Sequence, residues 1–218
     1  MTPQFKLDFA ENIEKVRAFQ NILKQFIPHK SLALISTYLA EKNVKLKIVR
    51  SRRTKLGDFR VSLKTKATAI TVNQDLNEYS FLITLVHEIA HLDCYLNHKK
   101  RVKPHGDEWK NEFKKLMQPF FYHKIFPQDI FVALNNYMNN PLASSCSDLG
   151  LMRVLKNYDK QKNNIIYLEE VAENTIFRIG KNRVFKKGIK RRKLYKCMDL
   201  NSKKHYLINP LSEIEIVE

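Results

Sequence analysis

The stretch "LVHEIAHLDCYLNHKKRVKPHGDEWK", Leu85 to Lys110, decides how the rest of the chain is read. It sets His87 and His91 four residues apart around Glu88, and after thirteen intervening residues it reaches His105, just ahead of Gly106. From Asp75 or Asn77 onward the chain runs through "LNEYSFLITLVHEIAHLDCYLNH" without glycine or proline, which predicts a helix with polar capping residues at its start. On a helix, residues i and i+4 share a face roughly 6 Å apart along the axis. His87 and His91 can therefore reach one ion at the roughly 2.0–2.1 Å of a zinc–nitrogen bond. Glu88 falls about a quarter-turn aside, where a carboxylate takes a proton from water rather than ligating the ion. A catalytic zinc takes three protein ligands and keeps one position open. His105 is the natural third, because the intervening chain is long enough to leave the helix and fold back through Pro104 and Gly106. His98 is a rival, but about two turns along a continuous helix it cannot reach the same ion. Asp93 or Asp107 could orient a ligand imidazole, or each is a solvated acid. Cys94, one turn past His91, reads as core.

Upstream of the motif, Phe9, Ile13, Val16, Phe19, Leu23, Phe26 and Ile27 recur at helical steps up to Pro28. A second helix follows in "HKSLALISTYLAEKN", with Ser31 as its expected cap. "VKLKIVRS" alternates as a half-buried strand, "RRTKLGDFRVS" reads as a turn through Gly57-Asp58 into a second strand, and "ATAITVN" as a third. Downstream, "GDEWKNEFKKLMQPFFYH" and "FPQDIFVALNNYMNN" predict two more helices, and "PLASSCSDLG" has the composition of a linker. Beyond Asn174 short alternating pieces separated by Gly180, Gly188 and Asn201-Ser202 predict a small antiparallel sheet.

With 44% hydrophobic residues the chain supports a packed core, and no apolar run approaches the roughly 18 to 20 residues of a membrane span. The N-terminal stretch lacks the apolar block of a signal peptide, so the expected place is the cytoplasm. Cys94, Cys146 and Cys197 are dispersed, which argues against a disulfide framework and against paired-cysteine zinc sites. A formal net charge of +17 points to a polyanionic partner, or to a surface that is basic without purpose. The charge is clustered: Phe177 to Lys196 holds ten Lys or Arg and no acid, with Phe177, Phe185 and Tyr195 interleaved. That mixture suits phosphate contact with base stacking, and Lys186, Lys187, Lys190, Arg191, Arg192 and Lys193 are the candidate nucleic-acid contacts. The other reading is a solvated hairpin.

HEIAH followed by a spacer and "HGDEW" resembles the SprT-like metalloprotease family, over roughly Leu32 to Met117. The resemblance implies one zinc ion on His87, His91 and His105, Glu88 as general base, and hydrolysis of peptide bonds in proteins associated with, or crosslinked to, DNA. It implies an α+β architecture: a zincin-like domain over 1–140, with helices, a small three-stranded sheet and HExxH on the active-site helix. A linker over 141–173 and a basic module over 174–218 then follow. That module resembles a zinc ribbon that keeps only Cys197 and is expected to be metal-free. The resemblance assigns no oxyanion stabiliser beyond the zinc; Tyr122 and His123 are unranked candidates. Two rivals stand beside the peptidase: a nucleic-acid-binding protein with a structural or weakly active zinc site, linked to transcription or repair, and a zinc hydrolase of non-peptide amides.

Overall fold

The structure, a computed structural model, describes residues 3–42, 44–52, 54–98, 102–142, 148–160, 165–180 and 182–217, with side chains from residue 10 onward. Cys146 lies outside the described residues. The chain divides into two compact units, Met1–Lys160 and Gln161–Glu218, and together they make an α+β protein. Among the described residues no helix is long and apolar enough to cross a membrane.

The first unit is built around α3 (Glu78–Asn97), of whose 20 residues 13 are buried. A helix buried on nearly every side is a central pillar rather than an edge element. Its start is fixed locally: the Asn77 side-chain oxygen accepts the Ser80 N–H at 2.9 Å. Before it come α1 (Pro3–Leu23), α2 (Leu32–Glu41), β1 (Lys45–Val49), β2 (Gly57–Val61) and β3 (Thr68–Asn73). Among the described side chains of the α1 stripe, the C-terminal part is packed. Phe19, Leu23, Phe26 and Ile27 join the core, while Ile13 is exposed. Ser31 does not cap α2: its hydroxyl donates to the Pro28 carbonyl at 2.7 Å instead.

The three strands are ordered β1-β3-β2, with β1 parallel and β2 antiparallel to the central β3. Leu46, Ile48, Phe59, Ile70 and Val72 face the core, and α3 lies across β2 and β3. Gly57-Asp58, expected as a turn, opens strand β2 and pairs with Val72 and Thr71. After the motif come α4 (Asp107–Tyr122), α5 (Gln128–Met138) and α6 (Leu149–Lys156). Trp109, Phe113, Met117 and Phe120 form the buried stripe of α4.

The expected linker over 141–173 is largely structured where it is described. In α6, Leu151 and Leu155 are buried in the first unit's core, and Asp148 caps the helix by accepting the Leu151 N–H at 2.8 Å. Asn77 ties the end of α6 to the start of α3 by donating to the Leu155 carbonyl at 2.9 Å and to Asp159 at 2.6 Å. Ile166–Tyr167 form a strand of the second unit, and Leu168 is in its core.

That second unit holds β4 (Ile166–Tyr167), β5 (Ile176–Ile179), β6 (Arg183–Lys186), β7 (Lys190–Arg191), β8 (Leu194–Asp199), β9 (His205–Ile208) and β10 (Glu213–Ile216). They hydrogen-bond in the order β4-β10-β5-β6-β8-β7, with β9 also on β8, and every pairing is antiparallel. Its core is Leu168, Phe177, Phe185, Cys197 and Ile214.

Candidate metal centre

The helical spacing of the motif does what it predicts: His87 and His91 project from consecutive turns of α3. His105 arrives from a tight turn in which the Gly106 N–H donates to the Lys103 carbonyl at 2.9 Å. His105 itself has φ +60°, the left-handed conformation that turns its ring back toward α3, and Gly106 then begins α4 as its N-cap. A non-glycine residue held there stores on the order of 1 kcal/mol or more of backbone strain, which the surrounding contacts must offset.

The three imidazoles meet at their Nε2 atoms. His105 Nε2 stands 3.0 Å from His91 Nε2 and 3.2 Å from His87 Nε2. Two nitrogens on one tetrahedral zinc at about 2.05 Å stand roughly 3.3 Å apart, so the cluster fits such an ion closely. Burial pushes His87 down to about 2, reinforced by the neighbouring His91 and His105, and pushes His91 down to about 4. His105 is lowered by burial as well. All three are neutral near pH 7 and offer lone pairs, the state in which imidazole binds metal. These three residues form one group able to hold a metal ion.

Trp109 forms the floor. Its ring centroid lies 4.5 Å from His87, 5.4 Å from His91 and 4.8 Å from His105, and its indole N–H donates to the His87 carbonyl at 3.4 Å. The tryptophan of "HGDEW" is therefore in contact with all three rings: His91 stacks on it, His87 is tilted against it and His105 meets it edge-on. Phe113 backs it at 5.1 Å.

Glu88 is buried beside the cluster and faces β2. Burial pushes its carboxyl up to about 8 and the nearby Asp58 adds to this, while the Phe59 N–H, Arg52 and Lys55 oppose it. Gly57 leaves the room that Glu88 fills. A Cβ there would stand 2.5 Å from Glu88 Oε1 and 2.7 Å from its Cγ. The strand backbone thus shapes and hydrogen-bonds the carboxylate. The sequence reading missed Gly57 and Phe59, since no local pattern reports that β2 runs against α3.

The remaining candidates fall elsewhere. His98 is the C-cap of α3, beyond the cluster. Asp93 lies on the opposite side of α3, bonded by the Tyr38 hydroxyl and 3.2 Å from the Lys42 ammonium, and orients no ligand histidine. It lines a pocket of about 610 Å³ with Leu34, Tyr38, Val86, Ile89 and Phe120, apart from the imidazoles. Asp107 is exposed in the first turn of α4, and Tyr122 is exposed at its end with its ring against His123.

In the second unit the candidate contacts separate. Lys186, Lys190, Arg191, Arg192 and Lys193 are exposed, the last four on the β7–β8 hairpin. Lys187 is not available: it is 4% exposed, donates to the Val171 carbonyl at 2.5 Å and lies over the Tyr195 ring at 4.1 Å. Of the three interleaved rings, Phe177 and Phe185 are buried against each other in the core, while Tyr195 is half-buried with Lys187 and Lys190 over it.

An α+β unit whose central helix carries HExxH, with a third histidine closing a cluster able to hold a metal ion over a tryptophan, is the arrangement of a metallopeptidase-type domain. The SprT-like family matches residues 18–129, just over half of the sequence, and the chain belongs to that family. No curated protein and no solved structure matches it.

Proposed function

We propose that the protein is a zinc-dependent peptidase that hydrolyses peptide bonds in nucleic-acid-associated proteins, including DNA-crosslinked ones. The convergence of the His87, His91 and His105 Nε2 atoms beside a buried Glu88 carries this reading. These three residues would hold one zinc ion, which when bound supplies a Lewis acid that polarises the scissile carbonyl and acidifies water. Glu88 is the general base. Held by the Phe59 N–H, its carboxylate takes a proton from the attacking water and delivers it to the leaving amine. Trp109 and the His105 turn keep the imidazoles oriented.

Cytoplasmic placement belongs to the same proposal and draws on the buried free thiols of Cys94 and Cys197. So does the reading of the second unit as a metal-free, ribbon-like module, held by its apolar strands. A second reading rests on the exposed Lys190 to Lys193 hairpin: a nucleic-acid-binding protein whose zinc is structural. Glu88→Gln separates the two. The peptidase reading expects zinc to be retained and hydrolysis of an unfolded protein substrate to fall at least about a hundredfold. Hydrolysis unchanged in that variant, or absent from the zinc-loaded wild type, rejects it. A zinc hydrolase of non-peptide amides would cleave small amides while leaving protein substrates intact.

A further inference from the structure

The strand parity of the three-stranded sheet divides its residues sharply. Leu46, Ile48, Phe59, Ile70 and Val72 face α3 and the core. Directly paired residues share a face, so Lys45–Ala69–Arg60 form one outward row and Lys47–Thr71–Asp58 the next. Lys45 and Lys47 are exposed, and the Arg60 side chain is 70% exposed. The central strand offers only the small Ala69 and Thr71 between them, a shallow floor about 9–10 Å across from β1 to β2. Arg52, in the β1–β2 connection, adds positive field here rather than a free contact, because its Nη2 is buried and its other donors are taken by the sheet. Arg52 donates through Nε to Asn73 at 2.9 Å and through Nη1 to Thr71 at 3.0 Å, while Asn73 donates back to the Arg52 carbonyl at 3.2 Å. The one acid, Asp58, is neutralised by Lys55 at 2.9 Å and by Arg60. Lys64 and Lys66 are exposed on the turn that joins β2 to β3.

We propose that this outward face of the β1-β3-β2 sheet, on the catalytic unit itself, docks the phosphodiester backbone of a nucleic acid. Charge complementarity selects the partner: a stripe of fixed and mobile cations over a flat, small-residue floor matches a regular row of phosphates. The outward rows contain no aromatic ring, so contact is to phosphate and carries no base preference. Anchoring in a lipid surface needs an apolar face, and this one offers only the exposed Leu63 at its edge. The sheet's other face presents Gly57 and Phe59 to Glu88. A nucleic acid bound outside would therefore hold its associated proteins beside the metal centre. The proposal deepens the reading of a peptidase for nucleic-acid-associated proteins, and its test measures binding rather than cleavage, so the two can fail separately.

The experiment compares the full chain with three variants, by fluorescence anisotropy on a labelled duplex and a labelled single strand across a salt series. The first is Lys45→Gln/Lys47→Gln/Arg60→Gln. The second removes equal charge elsewhere, through Lys24→Gln/Lys30→Gln/Lys124→Gln. The third is Asp58→Asn, which frees Arg60 and Lys55. The sheet triple is expected to bind about tenfold or more weakly and to lower the duplex salt slope by roughly 3, near 0.9 per lost phosphate contact. The distant triple should change binding less than about threefold, and Asp58→Asn should tighten it, a gain that misfolding cannot produce. Equal losses in the two triples would overturn the proposal, as would wild-type binding by the sheet triple. Loss of binding to anionic phosphatidylserine vesicles with none to nucleic acid would overturn it in favour of a membrane surface.

Discussion

At Gly57 the structure asks more of a single residue than the sequence reveals. Any side chain there must displace Glu88, whose Oε1 would lie 2.5 Å from the new Cβ. Gly57→Ala is therefore expected to cost about 1–3 kcal/mol of stability through overpacking. It should also lower kcat/KM at least about tenfold while zinc content stays unchanged, since the three imidazoles are untouched. Zinc analysis, thermal melting and peptide hydrolysis on one preparation check all three. Trp109 makes the converse prediction. Trp109→Ala opens a cavity under the cluster and should cost about 3–5 kcal/mol. Metal affinity should fall with it, because the rings lose their floor, and metal titration of the folded fraction tests this. At this scale the grouping of the three histidines was legible and its surroundings were not. An i,i+4 pair on an uninterrupted helix announces itself through periodicity alone. The contact between Gly57 and Glu88 joins positions 31 residues apart and leaves no local trace.

At the scale of elements, Asn77 links two helices that the sequence keeps far apart. It caps α3 and donates to the last turn of α6 and to Asp159. Asn77→Ala should lower stability by about 1–2 kcal/mol, read by denaturant unfolding with an unchanged m-value. In the second unit, Asp199 accepts the Asn201 and Ser202 N–H groups at 3.0 Å each and the Arg183 guanidinium at 2.9 Å. The Ser202 N–H and Arg183 together hold its carboxyl below the usual range. A lowered folded-state pKa stabilises above the ordinary carboxylate value of about 3.9 and ceases to do so as pH falls through the folded value. Amide protection in β6 and β8 should therefore weaken below about pH 4, and Asp199→Asn should remove that pH dependence. Hydrogen exchange over an acid series measures it. The elements themselves were largely legible, but strand order was not. The placing of β3 between β1 and β2 needs a parallel pairing that sequence adjacency does not report. The burial of Lys187 had a readable signal: it falls two residues after the inward Phe185 and so continues the inward parity.

For the whole molecule, the supposed linker over 141–173 shows why composition misleads at a domain border. "PLASSCSDLG" is polar and rich in serine, yet its Asp148 caps α6, whose Leu151 and Leu155 complete the first unit's core. The positive charge likewise looked concentrated at the C-terminal end, because a run of bases is conspicuous in sequence. Cations brought together by strand pairing, such as Lys45 and Arg60 across Ala69, are not. Three neutral imidazoles with converging lone pairs come together only in the folded chain, so on the proposed reading the zinc would also stabilise the fold. Stripping it with a chelator should lower stability by about 4 kcal/mol when free zinc had stood at a thousand times its dissociation constant. The melting temperature should return on re-addition.

The measurement that bears most directly on the metal centre is the zinc content of the purified, chelator-free protein beside its His105→Ala variant. About one zinc per wild-type chain, with most of it lost in a variant that keeps its circular dichroism, is the predicted result. A wild type without metal, or a variant that holds zinc as tightly as the wild type, would contradict the three-histidine site.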